Sequence, residues 1–534
     1  MRFQLPPTLL LACLAVTASA ADRPPGVDGP FAVARTVPAD RLLGVAEDVL
    51  RASGADEAIG PLLLTSRAVL GAAFVDTTRP LTGSLAIDAD RETARRSARL
   101  LVPVPGRTLD VSAGELHLSE GGVRRATPDD PDGEVAAASV GDGWALLGPR
   151  LELITADDRA AFADVFERPP PPLASLTAGG GVLPPATVAE LVRAWESGVA
   201  EETRRKPDEP VEVHVLRSEV QLAVVAALVE AVRTLDSAAV SLDVAGGDDA
   251  GEATIDAAVR WTDGSRVGRE LSRVEPVASS LNVAETATAA ARLHFRLPPR
   301  TGMRLERWAE SAAAATRKLL RDADREDLSP AVGAFAEALS EWVREGVVDA
   351  TLELHESDGR PYAVAGLAFD AAGTLAEVVK LIEAGGGSVY VETRGEATVY
   401  RFGDESDAGS PFGPDARAWF VAGAGQVWML LGTEGHLDEV VARVGVATRP
   451  SSRPINAVRV TVDAAAVARM QIAAGESSEE GLPAIAPFLG GDTPPIEWTV
   501  RPADGGLDTT LRVPAAVTRA AVRAVVEAAR DGSP

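Results

Sequence analysis

The sequence predicts an α+β fold: repeated antiparallel strand pairs backed by helices, in several units. Three observations carry this reading. Runs with the two-residue alternation of half-buried strands come in pairs. Patterns with apolar residues three and four apart, as on one face of a helix, separate the pairs. One strand motif occurs twice, as Trp144-Ala145-Leu146-Leu147-Gly148 and Trp428-Met429-Leu430-Leu431-Gly432. A doubly wound parallel sheet would instead alternate single strands with helices and show continuous Val/Ile runs.

The first element is an export signal. Arg2 precedes an apolar stretch from Leu9 to Val16, and the small residues Ala18-Ser19-Ala20 follow. This is the order of a secretory signal peptide over residues 1–20, with cleavage after Ala20. The apolar run is too short for a membrane span, which needs about 20 residues. The most apolar later stretch, Leu222 to Val232, is short and interrupted by Glu230, so no transmembrane segment is expected in the mature chain. Cys13 is the sole cysteine. Its setting, Leu10-Leu11-Ala12-Cys13, leaves a lipid anchor at Cys13 as an alternative to an ordinary residue of the signal core. Cleavage after Ala20 leaves a chain with no disulfides, which a protein of 534 residues does not need for stability.

Composition breaks divide the rest. An N-terminal α+β domain is expected over 21–166 and a Pro/Gly-rich linker over 167–186, where Pro169 to Pro172 favour an extended chain and Gly179 to Gly181 a flexible one. A central α+β repeat region follows over 187–447, then a C-terminal α+β unit over 455–534. Exposed turns are expected at Thr127 to Glu134, Gly403 to Pro414 and Thr448 to Pro454. Helical spacing predicts helices over Val188 to Arg204, Arg304 to Arg321, Ala331 to Val343, Ala371 to Ala384 and Ala515 to Ala529. Strands are expected at Ala239 to Val244, Ala253 to Trp261, Val348 to His355, Tyr362 to Phe369, Glu497 to Arg501 and Leu507 to Val513.

Internal similarity points to a duplication. Each Trp motif follows a Gly-containing turn, Gly141-Asp142-Gly143 or Gly423-Ala424-Gly425. An expected hairpin lies upstream of each, at Glu115 to Arg125 and at Ser388 to Arg401. The helix ends Ala227 to Arg233 and Ala338 to Arg344 are also alike, and each precedes two strands.

The formal net charge is -26, from 78 acidic and 52 basic residues. That disfavours nucleic acid, whose phosphates require a positive field. The acid is spread along the chain and reads as a solubility device.

The sequence holds no complete catalytic constellation, and no catalytic, cofactor-binding or metal residue is expected from it. The five histidines, His117, His214, His294, His355 and His436, are scattered. His355-Glu356 begins like a zinc-protease helix, but no second His follows at the required spacing. Asp130, Asp132 and Gly133 fit part of a calcium loop, yet Pro128 and Ser139 stand where its end ligands belong. Asp404, Glu405 and Asp407 form an acidic loop without a frame. No Gly-x-Ser-x-Gly elbow, Ser-x-x-Lys pair or phosphate loop occurs. The tryptophans Trp144, Trp195, Trp342, Trp428 and Trp498 read as core residues.

The overall style resembles exported bacterial proteins of unknown function with repeated α+β units. The matching pieces are Val37-Pro38-Ala39-Asp40, Asp76-Thr77-Thr78-Arg79-Pro80-Leu81, Leu101-Val102-Pro103-Val104 and Gly143 to Gly148. The resemblance implies no activity, cofactor or site residue. The expectation is an exported, non-catalytic binding or envelope-associated structural protein, periplasmic or extracellular. The alternatives are a hydrolase with an unorthodox site and a carrier of an apolar ligand. The non-catalytic reading expects that alanine at any single histidine leaves folding and any binding largely intact.

Overall fold

The computed structural model describes residues 31–61, 64, 76–86, 98–103, 108–110, 115–117, 123–127, 130–139, 144–148, 172–179, 181–206, 209–281, 284, 286–322, 329–357, 360–370, 372–384, 388–402, 412, 415–444, 456–473, 481–490 and 493–531. Residues 1–20, read as a signal peptide, lie outside them with Cys13, as do the expected loop at Gly403 to Pro414 for the most part and residues 448–454.

Helices and antiparallel strands alternate in two long series. The first runs β1 (Phe31–Pro38), α1 (Ala39–Ala52), β2 (Pro80–Ala86), β3 (Arg99–Pro103), β4 (Thr108–Asp110), β5 (Glu115–His117), β6 (Val123–Thr127), β7 (Asp130–Ser139), β8 (Trp144–Gly148), β9 (Ala174–Gly179), α2 (Pro185–Glu202), α3 (Val211–Arg233), β10 (Leu235–Val244), β11 (Ala253–Trp261) and α4 (Arg266–Leu271). The second runs β12 (Glu275–Pro276), β13 (Ala289–Arg296), α5 (Pro299–Asp322), α6 (Ser329–Glu345), β14 (Val347–Ser357), β15 (Arg360–Leu367), α7 (Ala372–Ala384), β16 (Val389–Arg394), β17 (Ala397–Phe402), β18 (Arg417–Gly423), β19 (Gln426–Gly432), α8 (Leu437–Arg443), β20 (Val458–Val462), α9 (Ala464–Ala473), α10 (Gly481–Ile485), β21 (Ile496–Ala503), β22 (Gly506–Val513) and α11 (Ala515–Asp531).

Strand order shows the duplication. The first sheet reads β9-β1-β2-β3-β8-β7-β6, and the second half reads β20-β13-β14-β15-β19-β18-β17-β16. Trp144 and Trp428 therefore occupy matching strands, β8 and β19, beside β3 and β15. After β9 and after β20 the chain makes two helices and returns as a hairpin, β10–β11 or β21–β22. β10 runs alongside β9, with the Leu173 N–H donating to the Leu242 carbonyl and the Gly181 N–H to that of Asp236. The halves then join through antiparallel β11 and β22, from Ala253 opposite Val513 to Arg260 opposite Gly506. An antiparallel seam between equivalent strands is the arrangement of a pseudo-two-fold.

Several expectations need correction. The segment read as linker contains β9, which pairs with β1 through six residues from Phe31 opposite Gly179 to Thr36 opposite Ala174. Its Ala-Ser-Leu-Thr-Ala-Gly run forms a strand despite the neighbouring prolines and glycines. Residues 455–534 do not stand apart either: β20, β21 and β22 lie between β13 and β11 in one sheet. Among the described residues Glu115 to Arg125 shows no hairpin ladder, since β5 pairs with β4 and β6 with β7. Asp130 to Glu134, read as an acidic turn, belongs to strand β7. The likeness between residues 227–233 and 338–344 is not carried by the topology, because β10–β11 matches β21–β22 and not β14–β15.

Turn chemistry explains several joints. The β18–β19 loop is Ala424-Gly425, both with positive φ, 50° and 73°. Two such residues make the turn that matches the natural twist of a hairpin. Gly505 (φ 65°) and Gly395 (φ 63°) serve the β21–β22 and β16–β17 turns.

Residues directly opposite in antiparallel strands point to the same face. One face thus carries a row running Leu242, Ile255, Leu511, Trp498, Val460, Ala291, Leu352, Ala365, Met429, Phe420, Tyr400 and Val391. α11 covers this face near Ile496 and Val513, and α7 covers it at Val389, Tyr400 and Phe420. The other face holds a core under α8, where Leu437 and Val440 meet Trp419, Trp428, Leu430, Val364, Val399 and Val421.

Candidate functional site

Strands with one solvated face usually turn apolar residues inward. β14 reverses the pattern. Its inward residues are Asp349, Thr351, Glu353 and His355, exposed by 2, 3, 0 and 3%, whereas outward Leu352 is 54% exposed. Burying charge is costly unless it is paired, so this strip organises the polar structure around it. It forms two networks.

The first centres on Asp349. The carboxylate accepts hydrogen bonds from Ser279 Oγ (2.7 Å), Ser280 N (2.6 Å) and Ser280 Oγ (2.9 Å), and His294 Nδ1 lies 2.7 Å from it. Burial pushes the Asp349 carboxyl up, but the hydrogen bonds from His294, Ser280 and Ser279 outweigh it and hold the group below its ordinary range. Both serines donate to the aspartate, whereas a nucleophilic serine must hand its proton to the histidine. This geometry orients and holds; it does not activate a hydroxyl.

The second network links β14 to α8. Glu353 Oε2 receives Arg443 Nη1 at 2.8 Å and lies 2.8 Å from His355 Nε2. Arg443 Nη2 continues to Glu439 Oε1 at 2.6 Å, and Tyr362 donates to Glu439 Oε2 at 3.0 Å. Tyr362 is stacked between His355 (4.8 Å between centroids) and His436 (3.9 Å). The Arg443 guanidinium also sits 5.3 Å from the Trp428 ring centre. Burial, then the Glu439 charge and hydrogen bond, push the Tyr362 hydroxyl up to about 12. For Glu439, burial works upward, but hydrogen bonds from Arg443 and Tyr362 win and lower its pKa. Glu353 Oε1 is buried with no hydrogen-bond partner.

The scattered histidines of the sequence thus fall into place unevenly. His294, His355 and His436 come to the inner face of one half. His214 lies on α3, 3.7 Å from Glu209. His117 lies in β5. His355 is in the middle of a sheet, not on a helix, so His355-Glu356 point to opposite faces of a strand. The expectation that every single histidine tolerates alanine does not extend to His294 and His355, which partner buried carboxylates. Sequence reasoning missed Glu353, Tyr362, Glu439 and Arg443; the available signal was the polar alternation Asp349-x-Thr351-x-Glu353-x-His355, which marks a face but not its burial.

Other motifs resolve simply. Asp130, Asp132 and Gly133 lie in strand β7, which cannot curl around a cation. Asp404, Glu405 and Asp407 are outside the described residues. Among the described residues no group of three or more His, Cys, Asp or Glu stands in position to hold a metal ion. No described helix is long and apolar enough to cross a membrane. Trp428 is fully buried, but Trp498 is 42% exposed, which corrects its reading as a core residue.

Trp498 belongs to the opposite, apolar face. There Leu352 (54%), Trp498 (42%) and Val391 (47%) are open in the second half, and Leu85 (43%), Leu100 (42%) and Leu176 (39%) in the first. Register places Leu85, Leu100 and Leu176 on one side, through Ala32, Ala34 and Gly83. Ala32, Ala178, Ala238 and Val259 pack together across the β9–β10 seam, so the apolar faces of the two halves lie on the same side. On the polar side a cleft of about 240 Å³ over β21 and β22 is lined by Glu497, Asp508, Arg501 and Arg512 among others, a balanced set of charges.

Comparison with protein-family models, with curated proteins and with solved structures gives no match for this chain.

Proposed function

We propose that this is an exported protein that acts by binding and not by catalysis, with the open apolar sheet face as its contact surface. One contrast carries the reading. The centre of the two polar networks, Asp349, Glu353, His355 and Arg443, is at most 4% exposed, while Leu352, Trp498 and Leu85 on the other face are 42% exposed or more. A reactant needs access to a general acid or base within hydrogen-bond reach. Large contiguous apolar surface, in contrast, marks contact sites. The net charge of -26 argues against a nucleic-acid partner and favours solubility of a chain with such a face.

A neutral environment-sensitive dye such as Nile red tests the binding surface. Native protein should raise its fluorescence saturably, and Leu352→Gln with Trp498→Gln should reduce the signal severalfold without changing the circular dichroism. An unchanged signal in that variant rejects the sheet face as the contact surface. Cell fractionation with mass measurement of the mature N-terminus tests export. An N-terminus at Ala21 in the envelope or medium supports it, a lipidated N-terminus at Cys13 supports the anchored form, and an intact Met1 in the cytoplasm rejects both.

A further inference from the structure

We propose that the cleft between α3 and α5 binds an amphipathic anion: an apolar body carrying a phosphate or carboxylate headgroup. The cleft measures about 390 Å³, within the ordinary range for small-molecule sites, about 300–1,000 Å³. Its charge runs against the chain as a whole. Arg266, Arg300, Arg304 and Arg307 line it, against the single carboxylate of Glu219.

Helix geometry accounts for the convergence. Arg300, Arg304 and Arg307 stand at i, i+4 and i+7 and share one face of α5. Buried Gly302, Ala309 and Ala313 form the opposite face, where Gly302 approaches the Val343 carbonyl of α6. The arginine face therefore turns toward α3. Further along the same contact, Lys318 of α5 is neutralised by Glu212 of α3 at 2.6 Å. Arg266 reaches Glu230 only at 3.8 Å. Among the described residues Arg300, Arg304 and Arg307 have no ion pair at all. Like charges at helical spacing repel and destabilise the helix that carries them. In a protein with a net charge of -26, three adjacent uncompensated guanidiniums are an arrangement that an external anion completes. Guanidiniums bind phosphate and carboxylate through paired hydrogen bonds.

The floor supplies the apolar half. Ala223, Ala226 and Ala227 of α3 present only methyl groups, and Met303 and Trp308 of α5 close the sides. Met303 is 62% exposed, an open thioether beside an anion site. An inorganic ion would leave this surface bare; an acyl or aryl body would cover it.

The site is separate from the sheet face, and it is tested with charged ligands, so either reading can fail alone. Titration calorimetry with decyl phosphate below its micelle concentration is the experiment, with inorganic phosphate, decanol and phosphatidylcholine vesicles with and without phosphatidic acid as the other arms. Decyl phosphate should saturate one site and bind at least about tenfold more tightly than either inorganic phosphate or decanol, a factor equal to about 1.4 kcal/mol. Arg304→Gln with Arg307→Gln should weaken it at least about tenfold, and raised salt should weaken it further. Arg300→Gln, at an exposed position, serves the same purpose if the double variant does not fold. Equal affinity for inorganic phosphate overturns the amphipathic ligand. Equal affinity for decanol overturns the anion. Binding to phosphatidic-acid vesicles without binding to decyl phosphate overturns the cleft in favour of a membrane surface, and wild-type affinity in a folded arginine variant overturns the site.

Discussion

Replacing Arg443 by methionine is expected to cost more stability than any other single change in the inner-face network. The residue is 4% exposed and divides its guanidinium between fully buried Glu353 and partly exposed Glu439. Methionine keeps much of the volume over Trp428 but leaves the Glu353 carboxylate in the sheet with only His355 at hydrogen-bond distance. Glu353 Oε1 already has no partner. Breaking a buried pair by removing one member costs about 3–5 kcal/mol. Glu353→Gln should cost less, about 1–3 kcal/mol, because Arg443 retains Glu439 and only a buried hydrogen-bonded group is disturbed. Joining Arg443→Met to Glu353→Leu removes the orphaned charge, so the double variant should be more stable than Arg443→Met alone. Urea unfolding followed by tryptophan fluorescence reads all three, since Trp428 and Trp419 are buried in this core. The reasoning is refuted if Arg443→Met costs under about 1 kcal/mol, the range of an exposed ion pair, or if the double variant is no more stable than Arg443→Met alone.

Asp349 gives the pH dependence. Its folded pKa lies below the ordinary aspartate value, so its contribution to stability is full above that value and is lost as pH falls through the lower folded pKa. Acid unfolding should therefore set in below about pH 4, and Asp349→Asn, less stable at neutral pH, should lose less on acidification; a parallel shift at every pH would contradict this. Gly366→Ala should destabilise by about 1–3 kcal/mol, because an added Cβ would fall 2.6 Å from the Trp428 ring, and a thermal melt unchanged from wild type would reject that contact. Ala424 holds φ at 50° in the β18–β19 turn, so Ala424→Gly should stabilise by up to about 1 kcal/mol in urea unfolding; a loss would mean the methyl group packs usefully.

Much of the architecture was legible because it rests on local pattern. Val347–Ser357 and Arg360–Leu367 announce themselves by alternation, and the helices from Pro299 and from Ser329 by spacing. The segment Ala174–Gly179 was illegible for the opposite reason. A six-residue strand between a proline run and a glycine run has no periodicity of its own and is fixed by its ladder with β1. Of α3 only the end, Ala227 to Arg233, was legible as helix; the rest has apolar residues on every side, with Val211, Val215 and Leu222 exposed, so no single stripe marks it. The inner-face network was hidden by distance. Glu353 and Arg443 stand 90 positions apart. Alternation tells which residues share a face, but not whether α8 covers that face.

The duplication gives the network a control within the molecule. β2 and β14 hold the same place in the two strand orders. The inward residues of β2 are Thr82, Ser84 and Ala86, neutral and 2, 6 and 6% exposed. Those of β14 are Asp349, Thr351, Glu353 and His355. The fold therefore does not require buried charge at this position, since its first half is built without it. Nor does stability require it, because a buried ion pair gains little over apolar side chains of similar volume. What the charges add in the second half is direction: Glu353 and Arg443 satisfy one another in one placement of α8 against the sheet, with Tyr362 and His436 stacked beside it. An apolar replacement would leave that helix held by shape alone. The double replacement of Glu353 and Arg443 separates the two roles. If it keeps the unfolding free energy but broadens the side-chain signals of Trp428 and Tyr362, the network specifies the position of α8. If those signals stay sharp, packing of Leu437 and Val440 suffices to place it.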